Sequence, residues 1–184
     1  PLKNLNAVGD SGYLTTNNEK IYIKTKDLIN HGMTNNRNII KNFGYVSRMD
    51  NLQAAVLNYR LNKLREIIKV RRKNAEFYIQ NLDSSKITVI KEKSYQFNTY
   101  HTFVIQVKNR KKLVSYLSRK GINTAVHYPI PIHLQPAAKF LGYKKGSFPI
   151  VEKQAKEILT LPIHQNLKRK DLIRIVQTVN NFFN

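Results

Sequence analysis

Three stretches of this chain bring together residue types that could do chemistry. Lys3 stands among apolar neighbours just before the turn-rich segment Asn6-Ala-Val-Gly-Asp-Ser-Gly12. A lysine amine held partly out of water can act as a nucleophile toward a carbonyl, although a lysine near the start of a segment is more commonly just solvated. In Phe43-Gly-Tyr-Val-Ser-Arg-Met-Asp-Asn-Leu-Gln-Ala-Ala-Val56 a glycine-bearing loop turns into a helix, and loops at element ends are where polar groups converge on ligands. Tyr45, Ser47 and Arg48 are therefore candidates for ligand contact, against the plainer reading of a capped helix. In His127-Tyr-Pro-Ile-Pro-Ile-His133 two prolines two apart fix φ and remove donors, so the loop between the histidines is irregular and stiff. The chain has five histidines and no cysteine, and no carboxylate cluster lies near His127 or His133, so no metal site is expected. Phosphate-binding glycine motifs, a zinc-protease H-E-x-x-H and a hydrolase G-x-S-x-G are all missing from the sequence.

These stretches need elements to position them. Ser47 followed by Asp50 has the spacing of a capping box, which starts a helix there. Apolar residues at Met49, Leu52, Val56, Tyr59, Leu61, Leu64, Ile68, Ala75, Tyr78 and Leu82 keep helical spacing throughout. The pattern predicts one long helix, or two consecutive helices bending near Arg71-Arg72-Lys73, joining two parts of the protein. Before it, Tyr13 to Thr16 reads as a short strand, and Glu19 to His31 as a helix closed by Gly32, followed by a polar loop through Arg37. After a break at Asp83-Ser-Ser85, strands are expected at Ile87–Ile90 and Tyr100–Val107, a helix at Arg110–Lys120 and a third strand at Ile122–Val126. Leu134 to Leu141 reads as a short helix closed by Gly142. Phe148 to Leu159 and Lys170 to Phe183 have amphipathic helical spacing, with Pro149 in the first turn of the former. The order suggests a compact α/β sandwich.

Composition bounds the class. The chain has 184 residues, 41% hydrophobic and 23% charged, within the range of globular proteins and long enough to bury a core. No apolar run approaches the length of a membrane span, and no disulfide or thiolate chemistry is possible without cysteine, so a cytoplasmic protein is expected with no membrane partner. Thirty-two Lys and Arg against 11 Asp and Glu give a formal charge of +21, which favours anionic partners without choosing among them. Arg60, Lys63, Arg65, Lys69, Arg71, Arg72 and Lys73 against Glu66 form the densest run, read by default as a solvated helix face. By the residues alone this is a basic α/β protein.

The order of the motifs carries more than any one of them. Pro1-Leu-Lys-Asn-Leu5, Gly9-Asp-Ser-Gly12 with Thr15-Thr-Asn17, Asn30-His-Gly32, Gly44 to Ala55, His127 to Pro136 and Leu159-Thr-Leu-Pro162 together resemble the DegT/DnrJ/StrS family from the first residue to nearly the last. The resemblance implies a pyridoxal-phosphate-dependent aminotransferase of the fold-type I, aspartate-aminotransferase-like class. Such an enzyme transfers an amino group, typically from glutamate, to a nucleotide-linked keto sugar, as in polysaccharide biosynthesis. It implies that Lys3 carries pyridoxal 5'-phosphate covalently and serves as the catalytic amine, with Asn4 and the Gly9–Gly12 loop beside it. It also implies that the Gly44–Arg48 loop, with Tyr45, Ser47 and Arg48, reaches the active site of a partner subunit in a homodimer, and that His127 and Tyr128 lie near the sugar-nucleotide pocket. Nucleic acid is not an expected partner.

There are departures. Val46 stands where the family usually has an asparagine that bonds the cofactor phosphate across the dimer, and Asn6 and Ser11 replace usual glycines. Family members are roughly twice this length, and the segment preceding the lysine supplies most of the large-domain sheet and cofactor pocket. The expectation is therefore a C-terminal half: residues 1–82 from the edge of the large domain with the connecting helix, and 83–184 the small α/β domain. Such a chain alone should be inactive. The alternative is a non-catalytic basic binding module derived from the same fold.

Overall fold

The computed structural model describes residues 3–34, 36 and 38–184. Pro1 and Leu2 of the first motif and Arg37 of the polar loop lie outside the described residues. The chain forms two compact units, one ending at Arg65 and one spanning Glu66–Asn184. The expected division followed Leu82, but α3 (Leu64–Asn81) sinks Ala75, Phe77 and Tyr78 into the core of the second unit, so by packing it belongs there.

The first unit contains α1 (Glu19–Leu28) and α2 (Asn51–Leu61) joined by long irregular segments. Asn18 caps α1, its Oδ1 accepting from Ile21 N–H at 3.2 Å. The helix stops at Leu28, short of His31, because His31 and Gly32 turn the chain with φ of 63° and 76°. Tyr13 to Thr16 is irregular rather than a strand: among the described residues no segment offers it a ladder. The expected capping box at Ser47 does not form, and Asp50 occupies the N-cap of α2 without a side-chain bond. Ser47 is drawn elsewhere, its N–H donating to the carbonyl of Ile29 at 3.0 Å. The helical run breaks at Asn62–Lys63, with Lys63 N–H donating to Arg60 at 3.0 Å, and α3 passes through Arg71-Arg72-Lys73 without interruption. Among the described residues of this unit Ala7 is the one buried hydrophobic side chain, while Phe43 is 99% exposed.

The second unit is built on an antiparallel sheet in the order β1 (Thr88–Val89), β2 (Phe103–Gln106), β3 (Ile158–Leu161). Phe103 faces Leu161 and Ile105 faces Leu159 across the central pair. These buried residues meet α3, α4 (Arg110–Arg119) and α6 (Arg169–Asn181) through Tyr78, Leu113, Leu117, Leu172, Val176 and Val179. The expected third strand at Ile122–Val126 reduces to a single bridge, Ala125 with Thr160. The third strand is instead Ile158–Leu161, which helical spacing had absorbed because α5 (Pro149–Glu157) runs into β3 with no glycine or proline between them. Pro149 does open α5, and of the short helix expected from Leu134 to Leu141 a 3₁₀ helix forms at Pro136–Leu141, closed by Gly142 at φ 74°.

Two glycines lock the first unit's loops together. A Cβ on Gly44 would lie 2.2 Å from the Gly32 nitrogen, and one on Gly32 would lie 1.7 Å from the Asn42 carbonyl oxygen. Replacing Gly44 with alanine should therefore separate the two segments, and exchange of the Tyr45 amide, which now donates to Leu28 at 2.7 Å, should rise by about tenfold or more. Unchanged protection of that amide in Gly44→Ala would show that the close approach is not what holds the loop.

Candidate functional site

The segment carrying Lys3 is anchored from α2. Gln53 Oε1 accepts from Val8 N–H at 2.9 Å, and Arg60 Nε donates to the Leu5 carbonyl at 2.5 Å. The two side chains stand two helical turns apart, so one face of α2 grips both sides of the Asn6 turn. Asn6 takes φ 55°, a conformation asparagine tolerates better than other side-chain-bearing residues, which explains how it can replace a glycine there. A Cβ on Gly9 would come within 2.4 Å of Gln53 Nε2, so the loop passes α2 too closely for a larger residue unless Gln53 moves. Within this anchored segment Asn4 is buried and Lys3 is exposed. Gln53 and Arg60 were not among the candidates. Arg60 sits in the run that its charge pattern marks as a solvated face, and its seven-residue spacing from Gln53 is the signal in the sequence that links the two.

The Tyr45 to Arg48 loop is fixed by its backbone and free at its side chains. His31 N–H donates to the Tyr45 carbonyl at 3.0 Å, which together with the Tyr45 and Ser47 amide bonds zips the loop to the end of α1. Tyr45 and Val46 are each 71% exposed. Ser47 and Arg48 line an open cleft of about 1000 Å3 together with Asp10, Ser11 and Gly12 of the glycine loop and Lys26 of α1. Tyr45, Lys3 and Asn4 are not part of its lining. The cleft thus gathers a hydroxyl, a guanidinium, an amine and loop backbone beside the Asp10 carboxylate, and its donors Ser47, Arg48 and Lys26 are of the kind that bind an anion.

In the second unit the proline loop is held at both ends. His127 Nδ1 lies 2.9 Å from Thr160 Oγ1 on β3, and the Tyr128 ring stands edge-on to the imidazole at 5.5 Å with most of its surface exposed. At the other end His133 is buried, with Nε2 3.1 Å from Glu152 Oε1 of α5 and its ring edge against Phe148 at 4.9 Å.

Residues 1–180 match the DegT/DnrJ/EryC1/StrS aminotransferase family. The chain belongs to this family. Among its relatives, a pleiotropic regulatory protein of Geobacillus stearothermophilus is 35% identical over 186 residues, covering all of this chain and 50% of the relative. The dTDP-3-amino-3,6-dideoxy-alpha-D-galactopyranose transaminase of Aneurinibacillus thermoaerophilus is 36% identical over 175 residues, 93% of this chain and 46% of that protein. The crystal structure of Streptomyces venezuelae DesV superimposes with a TM-score of 0.92 at 31% identity, over 98% of this chain and 49% of DesV. The chain therefore spans about half the length of the curated relatives it matches, and its fold is that of fold-type I, pyridoxal-phosphate-dependent sugar aminotransferases. No helix among the described residues is long and apolar enough to cross a membrane.

The basic run of this DegT/DnrJ-type chain is not simply a solvated face. Arg71 is buried and donates to the carbonyls of Tyr100 at 3.1 Å and His101 at 3.3 Å, and burial pulls its pKa down. Arg72 grips Glu92 in a fork, 3.0 and 2.8 Å, and lies over the Phe97 ring at 4.4 Å. Lys69 and Lys73 are exposed. The fork and the Asn98 amide hold the Glu92 carboxyl below its ordinary value. For Glu152, burial pushes the carboxyl up, but bonds from His133, Gly146 N–H and Phe148 N–H outweigh it, and the net direction is down. Both carboxylates are depressed on folding, so their stabilisation is present above the unfolded carboxylate range and is lost as pH falls through the folded values. The urea midpoint of the second unit should thus drop as pH falls below about 4.3. Glu92→Gln should flatten that drop, and an unchanged pH profile in the variant would count against the fork as its source.

Proposed function

We propose that this chain is the C-terminal half of a nucleotide-sugar aminotransferase, working with a preceding large-domain half that its relatives possess. What carries the reading is the family match over residues 1–180, with Lys3 standing exposed on a segment anchored by Gln53 and Arg60. Residues 1–82 would comprise the edge of the large domain with its connecting helices, the last of which, α3, packs into the core of the small domain formed by 83–184. An accessible amine on a fixed backbone is what covalent attachment of pyridoxal 5'-phosphate requires, and the donor set at Ser47 and Arg48 suits a phosphate or diphosphate. Lys3 would hold the cofactor, with the buried Asn4 next to it in the chain.

When bound, the cofactor supplies an electron sink that lets the proton next to the transferred nitrogen leave. The chain's own part is positional and acid–base. As a free amine, Lys3 Nζ would take that proton from the carbon on one side of the transferred nitrogen and return it to the carbon on the other side, and the anchoring of its segment by Gln53 and Arg60 would keep the amine within reach. The donor of the amino group is glutamate, and the acceptor is a keto sugar carried on a nucleoside diphosphate, in keeping with transaminases of dTDP-sugars and UDP-sugars among the relatives. The second partner is another copy of the enzyme. A loop zipped to α1 by its backbone while Phe43, Tyr45 and Val46 face outward suits insertion into a neighbouring subunit. Val46 presents hydrocarbon and its side chain cannot bond a phosphate, so on this loop the hydroxyls of Tyr45 and Ser47 and the guanidinium of Arg48 are the side-chain groups that could.

Joining this chain to the N-terminal half of DesV should yield glutamate-dependent amino transfer to a dTDP-linked keto sugar, and Lys3→Ala should abolish it. The 184-residue chain by itself should give no tight, Lys3-dependent absorbance on addition of pyridoxal phosphate. Turnover that survives Lys3→Ala in the joined protein would sink the assignment of the catalytic amine.

A further inference from the structure

A second cavity lies wholly within the unit Glu66–Asn184. Its volume is about 510 Å3, and it opens between the segment leaving α4, the end of β3 and the first half of α6. It shares no lining residue with the Ser47–Arg48 cleft. Its apolar wall is made by Ile122, Leu161 and Ile175, all buried, and by Leu167. The charged lining departs from the character of the protein. Over the whole chain 32 Lys and Arg face 11 Asp and Glu. Here there is one charge of each sign, Asp171 and Arg174, and no lysine, with the exposed His164 as the remaining titratable group.

Asp171 and Arg174 are three apart on α6, so their Cβ atoms stand roughly 5–6 Å apart on one face. Opposite charges at that spacing commonly pair, yet no ion pair joins these two. Each is drawn to main chain instead. Asp171 Oδ2 accepts from Lys168 N–H at 2.9 Å, and Arg174 Nη2 donates to the Lys120 carbonyl. A Cβ on Gly121 would lie 3.5 Å from the same Nη2, so the guanidinium rests against a bare glycine. Asp171 Oδ1 and the Nε and Nη1 groups of Arg174 make no hydrogen bond to another described residue, and neither do Asn123 and Thr124 on the facing segment. Two opposite charges are thus fixed one turn apart beside an apolar wall, each with bonding capacity left over.

We propose that this cavity binds an α-amino acid with an aliphatic side chain: its ammonium on Asp171, its carboxylate on Arg174, and its side chain against Ile122, Leu161, Leu167 and Ile175. A simple anion, which the overall charge attracts anywhere on the surface, would be opposed here by the Asp171 carboxylate. A simple amine would leave the guanidinium unmet. A zwitterion satisfies both, because an ammonium and a carboxylate on a single carbon can each reach one of two side chains a helical turn apart. The apolar wall then selects the aliphatic class, since a charged side chain laid against it would lose its water and gain no partner. The assignment does not use Lys3 and does not depend on the aminotransferase reading.

NMR of the 184-residue chain tests the site. Adding leucine should shift the Gly121 and Asn123 amides and the Ile122 and Ile175 methyl signals while leaving Val89 on β1 unmoved. The keto acid of leucine lacks the ammonium and isoamylamine lacks the carboxylate, so each should bind about tenfold or more weakly than leucine, the effect of losing one charge-assisted contact. Glutamate, with a charged side chain for the apolar wall, should also fall about tenfold or more behind leucine. Asp171→Asn keeps an oxygen for the Lys168 amide and removes the charge, so α6 should persist while leucine affinity drops about tenfold or more. Arg174→Gln should produce the same drop from the carboxylate end. No shift with leucine at about 10 mM, where a ligand of millimolar affinity is mostly bound, would overturn the site. A keto acid that matches leucine would overturn the zwitterion, and glutamate matching it would overturn the aliphatic selection. Full leucine binding in Asp171→Asn would overturn the role of the carboxylate. If either variant does not fold, the ligand series on the unaltered chain decides the matter by the same signals.

Discussion

The second unit depends on a row of polar contacts from one face of α3. Arg71, Asn74 and Tyr78 follow one another at helical spacing, and they reach Gln165, the His164 carbonyl and the Pro162 carbonyl in turn. The chain leaving β3 is therefore laid antiparallel along the helix. That fixes where β3 ends, and through the register of Phe103 with Leu161 it fixes β2 as the middle strand. Arg71 is the costly member of the row. Its guanidinium is buried, and the bonds recorded for it run to carbonyls and an amide side chain rather than a carboxylate. Dipoles of backbone carbonyls compensate the charge, and a smaller side chain would leave those oxygens buried without a donor.

The first unit is organised differently. Among its described residues there is almost no apolar interior, and backbone approach replaces packing: the end of α1 and the Tyr45 loop come so close that Gly32 and Gly44 have no room for a side chain. Chain segments that order themselves through backbone bonds while leaving tyrosine, phenylalanine and isoleucine side chains outside are suited to being covered by other surfaces. A loop tied by its main chain in this way can offer every side chain outward.

Much of this was legible in the sequence because the signals were local. Proline at Pro149, glycine at Gly32 and Gly142, and the apolar spacing of α4 and α6 each state a backbone fact that tertiary context did not override. The motif order carried the family. What escaped was non-local. Ser47 looks like a cap, but its amide is committed to Ile29, eighteen residues away in sequence. Ile158–Leu161 continues a helical pattern, and only pairing with β2 makes it a strand. The roles of Gln53, Arg60, Glu152 and Thr160 lie in partners distant along the chain, which periodicity does not reveal. Even the charge run misled for this reason, because Arg71 and Arg72 find carbonyls and a carboxylate from segments beyond the helix.

The buried hydroxyl at the end of the α3 row also sets an alkaline boundary. Burial drives the Tyr78 phenol well above the ordinary tyrosine value, and its bond to the Pro162 carbonyl at 2.8 Å exists only in the protonated form. The stabilisation is complete below the unfolded phenol value of about 10 and is lost as pH climbs from there toward the folded one. In a spectrophotometric titration of the ten tyrosines Tyr78 would be silent until the unit opens, so base-induced unfolding would register as its ionisation rather than as the discharge of the many surface lysines.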